Sequence, residues 1–139
     1  MQIQPYVFFN GRCDEAIEFY RGALGAEVQM LMRFKDIPQP HHPGMIPPGG
    51  ENKVMHANLR IGDSTLLASD GRCEGEVSNQ GFKLSITVAD AATAERLFSA
   101  LSVGGKVEMP LGQTFFSPAF GMLADRFGIE WMIYVAPQG

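Results

Sequence analysis

A short pattern occurs twice in this chain and constrains its fold more than any other feature. Phe19 and Gly25 reappear as Phe98 and Gly104, and the members of each pair are 79 positions apart. In both copies a helical pattern ends at the glycine and continues into a strand pattern. A unit of half the chain length that is used twice indicates two modules that cannot bury their apolar faces alone. The repeat therefore predicts two similar modules with a pocket between or under them.

The composition is that of an ordinary globular protein. A length of 139 residues predicts a single domain, 1–139, which is large enough to bury a core. The chain is 45% hydrophobic and 19% charged, and its net charge is −4. Because nucleic-acid-binding proteins present a basic surface, this charge argues against a nucleic-acid partner.

The cysteines and the hydropathy bear on location. Cys13 and Cys73 form no CxxC motif, and two distant thiols predict free cysteines in a reducing compartment. The N-terminus lacks the basic and long apolar stretches of a signal peptide, and no segment is apolar enough for a membrane helix. We therefore expect a cytoplasmic protein with no membrane partner.

Each half of the chain reads as strand, helix and three further strands. The first module, about residues 1–70, contains predicted strands at 3–9, 26–34, 54–61 and 64–69 and a helix at 13–24. The second module, about residues 80–136, contains predicted strands at 82–88, 106–111, 119–125 and 129–135 and a helix after the N-cap Asp90. The tight Gly62-Asp63 turn predicts antiparallel pairing of the strands that flank it. Residues 70–79 are interpreted as the linker between the modules.

One long segment falls outside this pattern. Residues 36–53 contain five prolines and three glycines, so neither a helix nor a central strand is expected there. A loop of this length is either a functional cover or disordered. Adjacent histidines in it, His41 and His42, would bind a metal only weakly.

Polar and apolar residues alternate on a strand of each module. His56, Asn58 and Arg60 share one face of the first strand, and Lys83 and Ser85 share one face of the second. These faces either meet solvent or, if the sheets curl toward each other, line one cleft. The last strand places Glu130, Met132 and Tyr134 on the same kind of face and Trp131 in the core. The methionines of the first half are interpreted as core and loop packing: Met30, Met32, Met45 and Met55.

Several segments together resemble a known family. They are CDEAIEFY at 13–20, LGAE at 24–27, HANLRIGD at 56–63, QTFF at 113–116 and DRFGIEWMI at 125–133. With the doubled βαβββ order, they resemble the PhnB-like branch of the vicinal oxygen chelate superfamily, which includes glyoxalase I, extradiol dioxygenases and bleomycin resistance proteins. The resemblance implies an α+β fold of two βαβββ modules, with curled mixed sheets around a cleft, and a homodimer.

The resemblance also bears on metal binding. Catalytic members of the superfamily hold a divalent metal with His, Glu or Gln side chains on four strands, and their positions correspond here to Pro5, Leu67, Lys83 and Met132. None of these side chains suits a hard divalent ion. We therefore expect no glyoxalase-type metal and no other cofactor. Some members are described as demethylubiquinone methyltransferases, yet the chain has no glycine-rich strand–helix turn for a nucleotide.

The polar face supplies the candidate site. His56 and Glu130 are the candidate catalytic residues, although His56 is also consistent with a hydrogen-bonded structural role. Asp70 and Asp125 are interpreted as turn residues. The candidate ligand-binding residues are Phe9, Asn58, Arg60, Lys83, Ser85, Phe116 and Tyr134.

Two functions remain open from the sequence. The first is a protein that binds a small molecule in the sheet cleft without a metal. The second is a metal-dependent lyase, isomerase or dioxygenase-like enzyme with non-standard ligands.

Overall fold

A computed structural model describes residues 1–38, 44–73 and 75–137. The chain divides into two compact units, Met1–Val77 and Ser78–Gly139. They are called here the N-terminal module and the C-terminal module. The assignment of the whole chain to one domain stays a prediction.

The N-terminal module is a four-stranded mixed sheet with one helix. Its elements are β1 (Tyr6–Phe8), α1 (Cys13–Leu24), β2 (Glu27–Arg33), β3 (Val54–Ile61) and β4 (Ser64–Ser69). The strand order is β1-β4-β3-β2, with β1 parallel to β4 and the other pairs antiparallel. A single 3-10 turn, Phe34–Asp36, follows β2.

The C-terminal module repeats this arrangement. Its elements are β5 (Leu84–Val88), α2 (Ala91–Ser102), β6 (Lys106–Gly112), β7 (Phe120–Ala124) and β8 (Glu130–Val135). The strand order is β5-β8-β7-β6, and again only the first pair, β5 with β8, is parallel. The predicted α+β fold of two βαβββ modules with mixed sheets is confirmed.

The two helices begin and end where the sequence predicts. The backbone of Gly25 at the end of α1 is left-handed, with φ 67°, and its N–H bonds to the Arg21 carbonyl. Gly104, its counterpart in the repeat, has φ 77°. The Asp90 side chain accepts a 2.7 Å hydrogen bond from the Thr93 N–H at the start of α2. A left-handed residue carries no steric cost in glycine, which explains the glycine in both copies.

Each helix packs on one side of its own sheet, and the core of each module lies between its helix and its sheet. In the N-terminal module Tyr20 of α1 and Leu59 of β3 are fully buried. In the C-terminal module Leu101 of α2 and Ile133 of β8 are fully buried, and Trp131 is 4% exposed. The predicted core role of Trp131 is confirmed.

Element boundaries agree with the sequence except at a few ends. The predicted strand 3–9 is wrong in length, because β1 covers only Tyr6–Phe8. The predicted strand 82–88 begins two residues later, at Leu84. Residues 44–53 form turns without helix or strand, as expected. His41 and His42 lie outside the described residues.

Two buried carboxylates organise the loops of the modules. Asp70, 1% exposed, accepts hydrogen bonds from the backbone N–H groups of Gly11, Cys13 and Val54 at 2.9, 2.8 and 2.9 Å. It therefore joins the β1–α1 turn to the start of β3. The interpretation of Asp70 as only a turn residue is wrong, because these partners are distant in sequence.

Asp125 has a more local role in the C-terminal module. Its carboxylate accepts hydrogen bonds from the Phe127 and Ile129 N–H groups at 2.9 and 3.1 Å, and from Trp131 Nε1 at 2.9 Å. All three partners belong to the β7–β8 hairpin, so the interpretation of Asp125 as a turn residue is confirmed.

Neither helix of the described chain has the length and apolar character needed to cross a membrane.

Candidate functional site

Each sheet has one face that carries no helix, called here its open face. In the N-terminal module, Ala57 and Leu59 of β3 are fully buried on the helix side, so His56 and Asn58 face the other way. Tyr6 pairs with Leu67, and Leu67 pairs with Asn58. Aromatic and polar side chains therefore lie side by side across the N-terminal open face.

The central contact of this face joins a tyrosine to the predicted catalytic histidine. The Tyr6 hydroxyl lies 2.9 Å from His56 Nδ1, and the two rings are 5.5 Å apart. Burial raises the pKa of Tyr6 above its ordinary value, and a hydrogen bond with Ser69 opposes that shift. Tyr6 is therefore a neutral phenol at physiological pH. When it donates to Nδ1, the proton of a neutral His56 ring lies on Nε2, which becomes a donor.

A depression of about 540 Å³ surrounds this pair. Tyr6 and Phe8 form an aromatic wall with ring centroids 5.1 Å apart, and they are 41% and 48% exposed. Arg72 contributes the positive charge and donates to the backbone carbonyls of Gly44 and Met45. The remaining lining residues are Phe34, Met55, His56, Ser69 and Gly71.

The structure corrects two predicted positions on the first strand. Phe9, assigned above to ligand contact, is 5% exposed, and its ring lies 6.0 Å from that of Tyr20 in α1. It therefore belongs to the core. Pro5 precedes β1, and Tyr6 is the residue that pairs with Leu67. The residues of β1 that point to the open face are therefore shifted by one position from the prediction. Tyr6 occupies the position that was expected for Pro5.

The other predicted ligand residues of this module lie toward the far edge of its sheet. Asn58 is half-buried on β3, opposite Met30 of the edge strand β2. Arg60 is exposed, and its Nε donates to the Gly62 carbonyl at 3.1 Å. Met30 is 45% exposed, so its interpretation as core packing is wrong.

The C-terminal open face is arranged in three rows across the strands. A charged row contains Lys83, Glu130 and Glu108; a thioether row runs through Ser85, Met132, Met122 and Met109; an aromatic row contains Thr87, Tyr134 and Phe120. All the predicted site residues of this module on β5 and β8 lie in these rows. Glu108 was not predicted, although alternation places it on this face: its neighbour Val107 pairs with Leu123, which is buried on the helix side.

The charged row is a lysine held between two carboxylates. Lys83 Nζ donates to Glu108 Oε2 at 3.0 Å and to Glu130 Oε1 at 3.1 Å. The hydrogen bonds to Glu108 and Glu130 raise the pKa of Lys83, and the hydrogen bond from Lys83 lowers the pKa of Glu108. Lys83 is therefore an ammonium group fixed by two carboxylates, and it does not act as a base near neutral pH.

The aromatic row continues onto the loop between β6 and β7. The ring of Phe116 lies 5.0 Å from that of Phe120 and 6.2 Å from that of Tyr134. Phe116 also lines a depression of about 630 Å³ beside the start of α2, together with the fully exposed Phe115. Phe116 and Tyr134 thus contact each other, while Ser85 is exposed on the edge strand β5.

The two candidate catalytic residues each have a partner within their own module. His56 is bonded to Tyr6, and Glu130 is bonded to Lys83. Tyr6 was not among the predicted residues, because the aromatic and apolar run at 6–9 does not mark which side chains face away from the core. The pairing of His56 with Glu130 as an acid and base stays a prediction.

The superfamily implies a divalent metal, but the residues at its expected positions do not fit one. Leu67 has no donor atom, Met132 offers a soft thioether, and the Lys83 ammonium is cationic. Over residues 1–38, 44–73 and 75–137, no group of three or more His, Cys, Asp or Glu side chains could hold a metal ion.

Comparison with known proteins identifies the family. A family model described as 3-demethylubiquinone-9 3-methyltransferase matches residues 1–134. The chain belongs to this family. Protein YjdN of Escherichia coli K12 is 34% identical over 143 residues, covering 99% of this chain and 97% of that protein.

Solved structures show which proteins share the fold of this chain. Protein PA1353 from Pseudomonas aeruginosa has a TM-score of 0.84 and 40% identity, with 99% of each chain covered. A putative 3-demethylubiquinone-9 3-methyltransferase, PhnB protein, from Bacillus cereus has a TM-score of 0.78 and 25% identity, covering 98% of this chain and 100% of that one. More distant structures, at 17% and 18% identity, are described as glyoxalase-related and share the fold. The chain is therefore PhnB-like, and its fold is that of glyoxalase-related proteins.

Proposed function

We propose that this protein binds a small planar molecule on the N-terminal open face. Tyr6 and Phe8 would contact its ring, and His56 would bond to its polar group. The observation that carries the proposal is the pair of exposed aromatic rings beside a hydrogen-bonded histidine in one depression. Ring contact and one oriented polar group are typical of small-molecule sites.

The energetics of the N-terminal open face support a ligand. Two neighbouring aromatic side chains left 41% and 48% exposed keep apolar area in contact with water. Covering apolar area contributes roughly 25 cal/mol per Å², so a flat ring placed on Tyr6 and Phe8 gains free energy without displacing core residues. The volume of about 540 Å³ suits a molecule of one or two rings.

The polar groups restrict the chemistry of the ligand. His56 Nε2 has no hydrogen-bond partner among the described residues and is available to an oxygen of the ligand. Among the described lining residues, Arg72 carries the charge and none is acidic. A ring that carries a hydroxyl, keto or carboxylate oxygen therefore fits better than a cationic ring.

The proposal is one of binding, with no reaction assigned. Both helices begin beside a carboxylate of this chain: Asp70 accepts from the Cys13 N–H of α1, and Asp90 accepts from the Thr93 N–H of α2. These N–H groups are therefore bonded to side chains of the chain itself. The methyltransferase description of the family is a likeness in sequence, and the proposal includes no methyl transfer.

A second candidate function rests on the charged row. Carboxylates are common catalytic acids and bases, and Glu130 is a carboxylate that Lys83 holds at 3.1 Å on a face lined with aromatic side chains. A metal-dependent lyase, isomerase or dioxygenase-like activity would need ligands of a non-standard kind. Elemental analysis of the purified protein separates the two functions, because one equivalent of Zn, Ni or Fe would contradict metal-free binding.

Saturation-transfer NMR with a panel of phenols, hydroxybenzoates and benzoquinones tests the main proposal. We expect at least one of these probes to bind. Phe8→Ala should raise its dissociation constant about tenfold, which is a loss of about 1.4 kcal/mol in binding free energy. Phe115→Ala is the matched control, since Phe115 is a fully exposed aromatic of the other module. A panel without binders, or equal binding by the wild type and Phe8→Ala, would overturn the proposal.

We also propose that the protein is a cytoplasmic homodimer. Two free cysteines, one buried and one half-exposed, are consistent with a reducing compartment. The dimer is what the PhnB-like resemblance implies. Light scattering coupled to gel filtration tests it, and a monomeric mass at micromolar concentration would contradict it.

A further inference from the structure

Three methionines lie next to one another across the C-terminal sheet. Met109 of β6 pairs with Met122 of β7, and Met122 pairs with Met132 of β8. Residues directly opposite in an antiparallel sheet point to the same side and have Cβ atoms about 5 Å apart. Three thioether sulfur atoms on adjacent strands therefore share one small area of the open face.

Burial confirms which side these side chains occupy. Leu123 and Ile133, the neighbours of Met122 and Met132 in sequence, are fully buried on the helix side. Strand alternation places Met122 and Met132 on the opposite side, where both are half-buried. These two side chains are thus partly shielded from solvent and partly exposed to it.

The β-bulge in β6 explains how the third methionine joins them. The register shifts between Val107 and Met109, so two residues of β6 lie opposite one residue of β7. Glu108 bonds to Lys83 on the open face, and its neighbour Met109 pairs with Met122 on that face. Without the bulge, consecutive residues 108 and 109 would point to opposite sides.

The charge next to the methionines favours a cation. Lys83, Glu108 and Glu130 form the neighbouring row, and one ammonium with two carboxylates gives a net charge of −1. Thioether sulfur is a soft ligand that selects Cu(I) over hard divalent ions. Methionine side chains have several rotatable bonds, so three of them can converge on one ion without backbone movement.

We propose that Met109, Met122 and Met132 form a binding site for a soft monovalent metal ion, Cu(I), coordinated by their three sulfur atoms. The corresponding row of the N-terminal module holds Tyr6, Leu67, Asn58 and Met30. Met30 is the counterpart of Met109, but Leu67 and Asn58 replace the other two thioethers. The site is therefore a property of the C-terminal module and is independent of the ring-binding proposal for the N-terminal one.

The first test is NMR of the full-length protein with ¹³C-labelled methionine methyl groups. Ag(I) serves as a diamagnetic probe of the same charge and softness. The half-exposed Cys73 is replaced in a Cys73→Ser background, since a thiol competes for the ion. Cys13 is retained because it is buried, and burial together with the nearby Asp70 raises the pKa of its thiol. We expect three methyl signals, those of Met109, Met122 and Met132, to shift together and saturate at one equivalent.

The second test is competition for Cu(I) with a chromophoric chelator under anaerobic conditions. Met122→Leu keeps the side-chain volume and removes one sulfur, and we expect it to lower Cu(I) affinity at least tenfold. Met30→Leu is the matched control and should bind as the parent protein does. Equal affinity in the two variants, or Ag(I) shifts that omit any of the three methionines, would overturn the proposal.

Discussion

The two modules have the same architecture and differ in how their loops are joined and what their open faces carry. Both have a twelve-residue helix, a left-handed glycine after it and a parallel pairing of first and last strands. In the N-terminal module Asp70 joins segments distant in sequence, whereas Asp125 of the C-terminal module bonds within one hairpin. The arrangement of strands and helix is thus repeated, while the buried carboxylate of each module bonds to a different set of segments.

The open faces differ in chemistry at matching positions. The row Tyr6, Leu67, Asn58 and Met30 corresponds to the row Ser85, Met132, Met122 and Met109. The helix-facing side of each sheet is fixed by packing, so its residues stay apolar in both modules. The open face is not restricted in this way, and the side chains there have become aromatic and polar in one module and soft and charged in the other.

The largest effect is expected from removal of the Asp70 carboxylate. Asp70→Ala leaves three backbone N–H groups, two of them buried, without an acceptor, and we expect a loss on the order of 4 kcal/mol in the free energy of unfolding. Asp125→Ala should lower it by about half as much, because the donors of one hairpin can reach water by a local rearrangement of the turn. Urea denaturation followed by circular dichroism measures both.

Asp63→Ala is the control for this pair, because Asp63 is an exposed turn residue. Its free energy of unfolding should change by less than about 0.5 kcal/mol. If Asp70→Ala and Asp125→Ala cost the same, the contrast in how the two modules are joined is wrong.

Alanine in place of a glycine should change the stability in opposite directions inside α1 and directly after it. Gly25→Ala forces alanine to φ 67°, and we expect it to destabilise by about 1 kcal/mol. Gly22 lies inside the helix with open space around its Cα, so Gly22→Ala should stabilise by about 0.5–1 kcal/mol. Thermal denaturation checks both. Gly104→Ala is the counterpart in the C-terminal module, where a stabilising effect would show that the repeat differs at this turn.

The Lys83 ion pairs should make the C-terminal module sensitive to pH. The raised pKa of Lys83 means that its contribution is present below 10.5 and is lost as pH rises past the raised value. The lowered pKa of Glu108 means that its contribution is present above 4.5 and is lost as pH falls through the lowered value. Lys83→Met should lower the free energy of unfolding by about 1 kcal/mol between these two pH limits, and by less in acid.

Stability measured from pH 3 to pH 7 tests this, with Arg33→Met as the N-terminal comparison. Arg33 lowers the pKa of Asp14, which is more exposed than Glu108, so salt should weaken the Arg33 pair more. A Lys83→Met penalty that does not shrink in acid would argue against the role of the ion pairs.

The smallest effect is expected for Tyr6→Phe. The hydroxyl lost is partly exposed, so the free energy of unfolding should fall by less than about 1 kcal/mol. The ¹⁵N signals of the His56 ring should nevertheless change, because Nδ1 loses its partner. Unchanged ring signals would mean that Tyr6 does not set the His56 tautomer.

Local signals account for what the sequence predicts well. The predicted boundaries of α1, β3 and β4 match the structure because a glycine cap, a tight turn and clear alternation mark them. The polar residues His56, Asn58, Lys83 and Glu130 were assigned to the correct face for the same reason. The family resemblance then supplied the expectation of mixed sheets, which alternation alone does not give.

The errors fall where the sequence has no alternation or where distant residues meet. Residues 6–9 are all apolar, so nothing in them distinguishes the open face from the core, and Phe9 was assigned instead of Phe8. The following turn contains Asn10 with φ 51° and Gly11 with φ 96°, and its geometry changes the register. The position of Met109 depends on a β-bulge, and the role of Asp70 depends on long-range partners, and neither is contained in a sequence window.

The parallel pairing of first and last strands has a consequence for synthesis of the chain. β1 is the first strand made in its module, yet its partner β4 is the last. The same holds for β5 and β8. On the ribosome, each module keeps an unpaired aromatic or apolar strand until its final hairpin has emerged. We therefore expect the nascent chain to be most prone to misassociation just before each module is completed, and chaperone contact to rise twice during translation.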